Sequence, residues 1–181
     1  MEKIIFASDL HGAREDAARL ITWFTLEKAD RIVLLGDILY HGARNPLPPD
    51  YSPRETIAIL EPYADRILCV RGNCDSDVDK MVLPFPVFDY AVIAIEDRFI
   101  HLTHGDKYGE DAPPPMKKGD ILMSGHTHVA KLSVKEDYVY MNPGSVGIPK
   151  EKTPPSYILF DGKTFHLKSL LNGQAYDTFA L

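Results

Sequence analysis

The sequence predicts an α/β protein in which two β-sheets pack face to face with helices outside. Three observations carry this. The first third alternates short, continuously apolar runs with helical patterns, and the remainder is a series of extended segments joined by turns. The chain's 181 residues, 45% of them hydrophobic, suffice for one ordinary core that buries roughly 70% of the unfolded surface. The whole of 1–181 therefore reads as a single domain.

Ile4-Ile5-Phe6-Ala7 is a buried strand broken by Ser8-Asp9. Over 13–28, apolar residues return at Ala17, Leu20, Ile21 and Phe24 with Ala29 following, close to the helical period, and Trp23 belongs to the same packing. Ile32-Val33-Leu34-Leu35 is a second strand, stopped by Gly36-Asp37. The proline-rich loop 46–53 is long enough to act as a lid, and 53–63 opens with a proline suited to a first helical turn. Ile67-Leu68-Cys69-Val70 repeats the strand pattern and ends at Arg71-Gly72-Asn73. Strands apolar along their whole length belong in a parallel sheet covered on both faces, with right-handed crossovers. From Met81 onward the extended segments are 87–95, 99–103, 120–124, 132–135, 138–141, 157–160 and 164–170; the turns Glu96-Asp97 and Asp161-Gly162 predict hairpins. The prolines at 113–115 mark a second surface loop.

Charge and cysteine usage exclude several function classes. Lys plus Arg number 20 against 26 Asp plus Glu, a net charge of −6, so the broad positive field of a dedicated nucleic-acid binder is missing. Apolar stretches fall far short of the ~20 residues of a membrane span. Cys69 and Cys74 lie too close in sequence to staple a fold of this size, and Glu2-Lys3 leads straight into the first strand. A reduced, cytoplasmic protein is the expectation.

The chemistry lies at the ends of the apolar runs. In α/β sheets ligands bind at the carboxyl ends of the strands, so clusters placed there should meet in space. They are Asp9-Leu10-His11-Gly12, Gly36-Asp37, Gly72-Asn73-Cys74-Asp75, Thr103-His104-Gly105 and Gly125-His126-Thr127-His128. Taken singly, most have plain explanations: an Asp after a strand often caps a helix, and Gly-Asn often makes a turn. His126 and His128 are more specific, since alternate residues of an extended segment point the same way. With Asp75 set aside as a supporting residue, the clusters supply two carboxylates, an amide oxygen and four imidazoles, a mixed oxygen and nitrogen set suited to two divalent metals.

The order D-x-H, G-D, G-N-x-D, T-H-G, G-H-T-H resembles the calcineurin-like metallophosphoesterase superfamily. Ser8-Asp9-Leu10-His11-Gly12, Val70-Arg71-Gly72-Asn73-Cys74-Asp75 and Asn142-Pro143-Gly144-Ser145-Val146 resemble its small bacterial YfcE-type phosphodiesterases, as does 39–46. The likeness runs to about Ser169. It implies a four-layered αββα sandwich of two mixed sheets flanked by helices, with Asp9, His11 and His128 on one metal, Asn73, His104 and His126 on the other, and Asp37 bridging. It also implies a metal-dependent phosphodiesterase in which water activated by two ions attacks phosphorus in line, with no protein nucleophile. Manganese is the metal the resemblance suggests; iron, zinc and nickel also suit the donors.

Around these ligands, Asn73, Asp37, Cys74 and Asp75 form the expected catalytic group. Much of the superfamily has histidine where this chain has Cys74; the YfcE-type subgroup carries the cysteine. A thiol with an ordinary pKa of ~8.5 is a poor acid at neutral pH, and a packing role competes. Asp75 is expected to orient a ligand through a hydrogen bond. Arg44 and His41, in the loop, are the expected substrate-binding residues, Arg44 through its forked guanidinium. His101 and His166 read as packing or surface residues. The expected partner is a small phosphodiester, bound without membrane or dedicated nucleic-acid partner, and a homo-oligomer is left open. The competing class is a noncatalytic protein-interaction scaffold, since the fold also resembles a retromer subunit; a complete set of seven donors weighs against it. A DNA exonuclease of the superfamily would need further domains and a basic groove.

Overall fold

The computed structural model describes residues 2–181. The first third alternates strand and helix as β1 (Ile4–Ala7), α1 (Arg14–Leu26), β2 (Arg31–Leu34), α2 (Pro53–Leu60) and β3 (Ile67–Val70). Two short elements follow, α3 (Asp77–Val82) and β4 (Val87–Phe88). The remainder is β5 (Ala91–Ile95), β6 (Arg98–Leu102), β7 (Ile121–Met123), β8 (Lys131–Val134), β9 (Val139–Asn142), β10 (Ser156–Phe160), β11 (Thr164–Ser169) and β12 (Ala175–Ala180). Two mixed sheets result, with orders β12-β11-β10-β1-β2-β3-β4 and β5-β6-β7-β9-β8.

Alternation along the parallel strands divides two cores. Ile5, Ala7, Ile32, Leu34 and Cys69 face Ala17, Leu20 and Phe24 of α1 and Leu60 of α2. Phe6, Val33, Val70, Ile158 and Phe160 face the other way, onto Ile100, Leu102, Ile121, Met123 and Met141 of the second sheet. Covered on both faces, these strands need no polar side, which is why they read as continuous apolar runs. The layers run from α1 and α2 through the two sheets to the far face, where Val92, Ala94 and Phe99 line a groove together with Pro115 and Met116 of a loop. The hairpins expected at Glu96-Asp97 and Asp161-Gly162 join β5 to β6 and β10 to β11, both antiparallel.

Four local expectations change. The segment 87–95 is two strands in different sheets, divided at Asp89-Tyr90. The helix from Pro53 stops at Leu60 and continues as a 3₁₀ turn, Glu61–Arg66, because Pro62 supplies no N–H for an α-helical bond. Helix α3 was not expected; its signal is a capping box in which Ser76 Oγ accepts from the Asp79 N–H at 3.2 Å and Asp79 Oδ2 accepts from the Ser76 N–H at 2.7 Å. The edge strand β12 was also missed, since most of its residues are exposed.

Candidate active site

The parallel pairings place strand carboxyl ends on one rim: β1, β2, β3 and the short β4 from the first sheet, β6, β7 and β9 from the second. The seven predicted donors leave from these ends and meet there. Asp9 and Asp37 are buried, as are His11, His104 and His128. Asp9, His11 and His128 each bring a donor atom within 4.8 Å of the others, and so do Asp9, Asp37 and His104. Asp37 Oδ2 lies 3.7 Å from His11 Nε2 and 3.4 Å from His104 Nε2, so it touches both groups. Asn73 Oδ1 is 3.1 Å and His126 Nδ1 3.3 Å from His104 Nε2.

Backbone conformation aims these side chains. Asp9, His11, Asp37, His126 and His128 all have left-handed φ, between 50° and 68°. Non-glycine residues rarely adopt it, and such strain of about 1–2 kcal/mol each persists where surrounding contacts impose it. Those contacts are visible. Asp9 N and His11 N donate to the Gly36 and Asp37 carbonyls, Ser145 Oγ donates to Asp9 O at 2.7 Å, and Asn142 Nδ2 donates to Gly125 O at 2.8 Å. Gly125 is required because a Cβ there would lie 1.8 Å from Ser8 Oγ and 2.6 Å from Asp9 Oδ2. The 126–128 segment is thus a strained turn and not the extended stretch expected, and its imidazoles diverge, His126 toward His104 and His128 toward His11.

The tautomers follow from hydrogen bonding. His11, His104 and His128 each place Nδ1 2.7 Å from a carbonyl oxygen, of Tyr40, Leu35 and Ile148 respectively. Nδ1 must donate there, so in the neutral ring Nε2 carries a lone pair toward the centre. His11 and His128 Nε2 then face each other at 3.3 Å, and Asp9 Oδ1, fully buried, has no hydrogen-bond donor. Such a centre needs a cation. In the metal-free chain a proton serves: burial works against the His104 cation, but Asp37 and Asp9 outweigh it and push its pKa up to about 9. His11 moves up similarly through Asp9, the Tyr40 carbonyl and Asp37, against burial. Burial works against the Asp9 carboxylate, but with protons in the cluster His11 and His128, whose Nε2 atoms lie 3.6 and 3.2 Å from its Oδ1, hold it well below the usual carboxylate range.

Asp75 is buried and does not reach an imidazole. Its carboxylate accepts the N–H groups of Gly72, Asp37 and Ile38 at 2.7–2.8 Å, tying the loops after β2 and β3 together. Cys74 donates its N–H to Asp37 Oδ1 at 2.7 Å, and its thiol sits on the wall of a cavity of about 670 Å³. Burial, reinforced by the nearby carboxylates, pushes that thiol up to about 12. Arg44 lines the same cavity. His41 does not; its ring packs edge-on against Tyr40 and Tyr51. Tyr40, Ser76 and Lys150 line the cavity and were not anticipated. Tyr40 lies in the 39–46 segment already singled out, next to His41, whereas nothing in its sequence neighbourhood marks Lys150.

The calcineurin-like phosphoesterase superfamily domain matches residues 2–164. The chain belongs to this superfamily. Within it, phosphodiesterase YfcE of Escherichia coli strain K12 is 38% identical over 171 residues, 94% of this chain and 93% of the relative. A solved structure of the E. coli phosphoesterase Yfce superposes with a TM-score of 0.95 at 36% identity, covering 98% of each chain. The two mixed sheets with their helices are therefore the metallophosphoesterase fold. A probable metallophosphoesterase of Bacillus subtilis, YsnB, is 25% identical over 163 residues, 86% of this chain and 82% of that one. Vacuolar Protein Sorting 29 of Cryptosporidium parvum shares the fold alone, at TM-score 0.65 and 21% identity over 99% of this chain and 98% of that one.

Proposed function

We propose that the chain, acting as a single domain over 1–181, is a metal-dependent phosphodiesterase that cleaves a small phosphodiester at this rim. The observation that carries the reading is the convergence of bare imidazole nitrogens on two buried carboxylates, one with an oxygen that has no hydrogen-bond donor. Asp9, His11 and His128 would hold one divalent ion and Asn73, His104 and His126 another, with Asp37 shared. Their mixed donors suit manganese, and equally iron, zinc or nickel. When bound, such ions supply positive charge that attracts a phosphodiester, stabilises its oxygens and makes water more acidic.

The chain's own residues orient and bind. The Tyr40, Leu35 and Ile148 carbonyls fix three imidazole rings, and Asp75 fixes the backbone from which Asp37 reaches inward. Arg44 and Lys150 stand on the cavity wall with no ion pair among the described residues, free to meet phosphate oxygens. Cys74 keeps its proton at neutral pH and acts as a wall residue. Among the described residues no helix is long and apolar enough to cross a membrane. Two free thiols support a cytoplasmic setting. The test is chelator-stripped protein assayed on bis(4-nitrophenyl) phosphate: hydrolysis should return only with manganese or a similar ion. Full activity in excess chelator, with no metal by elemental analysis, would overturn the reading, while metal uptake without any turnover would favour the scaffold.

A further inference from the structure

A second cleft, of about 490 Å³, opens beyond Asn73 from the cavity already described. Asn73 lines both. A phosphodiester centred on the donor cluster therefore has a separate recess available for each of its two ester arms, and 490 Å³ lies within the ~300–1,000 Å³ of small-molecule sites. The two recesses differ in chemistry. In the first, Arg44 and Lys150 outnumber the one lining carboxylate, Asp37, and leave it cationic. In the second, Arg71 and Lys107 are balanced by Asp89 and Asp106, and Arg71 is already engaged, donating to Asp75 O at 2.9 Å and lying 3.5 Å from Asp77.

Its remaining feature is aromatic. Tyr90 and Tyr108 meet in a T-shaped pair with centroids 6.2 Å apart, and they are 37% and 42% exposed. Tyr90 is anchored from beneath: its hydroxyl is bonded to His101 Nδ1, and His101 Nε2 lies 3.3 Å from Asp120 Oδ2. Both are buried, and Asp120 also accepts the N–H groups of Phe99 and Lys117. His101, which the sequence leaves as a packing or surface residue, thus holds a solvent-facing ring in one orientation. A fixed aromatic ring at the mouth of a charge-balanced cleft favours a flat, uncharged partner by stacking.

We propose that this cleft receives a planar aromatic arm of the diester, of the kind a nucleoside presents. The proposal rests on the phosphodiesterase reading of the adjoining rim. Thymidine 5′-(4-nitrophenyl) phosphate and methyl 4-nitrophenyl phosphate share a leaving group and differ in the other arm. Tyr108 is the residue to change, since its hydroxyl makes no hydrogen bond among the described residues. Tyr108→Ala should lower the ratio of kcat/KM for the thymidine ester over the methyl ester about tenfold, through KM, whereas Tyr108→Phe should keep it. The equilibrium affinity for thymidine 5′-monophosphate should weaken by a similar factor in the alanine variant. An unchanged ratio with unchanged nucleotide affinity would overturn the proposal. If metal-loaded wild type hydrolyses neither ester, the phosphodiesterase reading fails instead, and the affinity comparison still tests the cleft.

Discussion

Asp37 stands at the crossing of the two donor groups, in contact with His11 on one side and His104 on the other. Removing it takes away the shared carboxylate, whereas Asp9→Ala or His128→Ala disturbs one group. Asp37→Ala should therefore lose about 100-fold or more in kcat and exceed both single-group variants. Turnover equal to wild type with both metals still bound would contradict the assignment. Cys74 gives a second residue-level prediction. With its thiol protonated and little acid assistance available, rates over a diester series should fall steeply as leaving-group pKa rises. Cys74→Ser should preserve that slope and Cys74→His should flatten it; a flat wild-type series made steep by Cys74→Ser would make the thiol the acid.

At the scale of elements, the loop after β2 brings Tyr40 and Arg44 over the cluster and is pinned at its far end, where Ser52 N donates to Gly12 O and Tyr51 bridges to Ala13. Arg44→Ala should raise KM about tenfold with a smaller change in kcat, since a charge-assisted fork onto phosphate is lost. An unchanged KM would remove Arg44 from substrate binding. The Ser76–Asp79 box caps α3, and Ser76→Ala should lower unfolding stability by about 1 kcal/mol, read as a shifted urea midpoint with unchanged slope. The box is present in the sequence, though no helix was expected there. The division of 87–95 between sheets was not legible, because Val87 and Ala91 are equally good strand residues and only pairing with β3 or β6 separates them.

For the molecule as a whole, the proposed metal dependence makes the donor cluster couple protons, metal and folding. His104, raised to about 9 in the metal-free chain, contributes stability that is fully present below the ordinary imidazole value of ~6.5 and is lost as pH rises through 9. Metal has to displace that proton, so its affinity should climb over the same window while the metal-free chain loses the contribution. Calorimetric titration at pH 7.5 in buffers of different ionisation enthalpy should register proton release on manganese binding. Proton-neutral binding would mean that His104 is not a ligand.

The residues of the site and their order were written in the sequence, because buried parallel strands must be apolar and any polar cluster at their ends is conspicuous. So were the α/β class and the main elements, through the same apolar runs and the period of α1. Tertiary structure alone decided the rest. The left-handed backbone at His126 and His128, which sends neighbouring imidazoles to different partners, is imposed by packing around Gly125 and Asn142. His41 turned from the cavity because Tyr40 and Tyr51 were there to receive it, and Lys150 entered because the loop after β9 folds back beside His128, where Lys150 N donates to His128 O. Local sequence sets which conformations a segment can adopt; contacts between residues far apart in the chain choose among them.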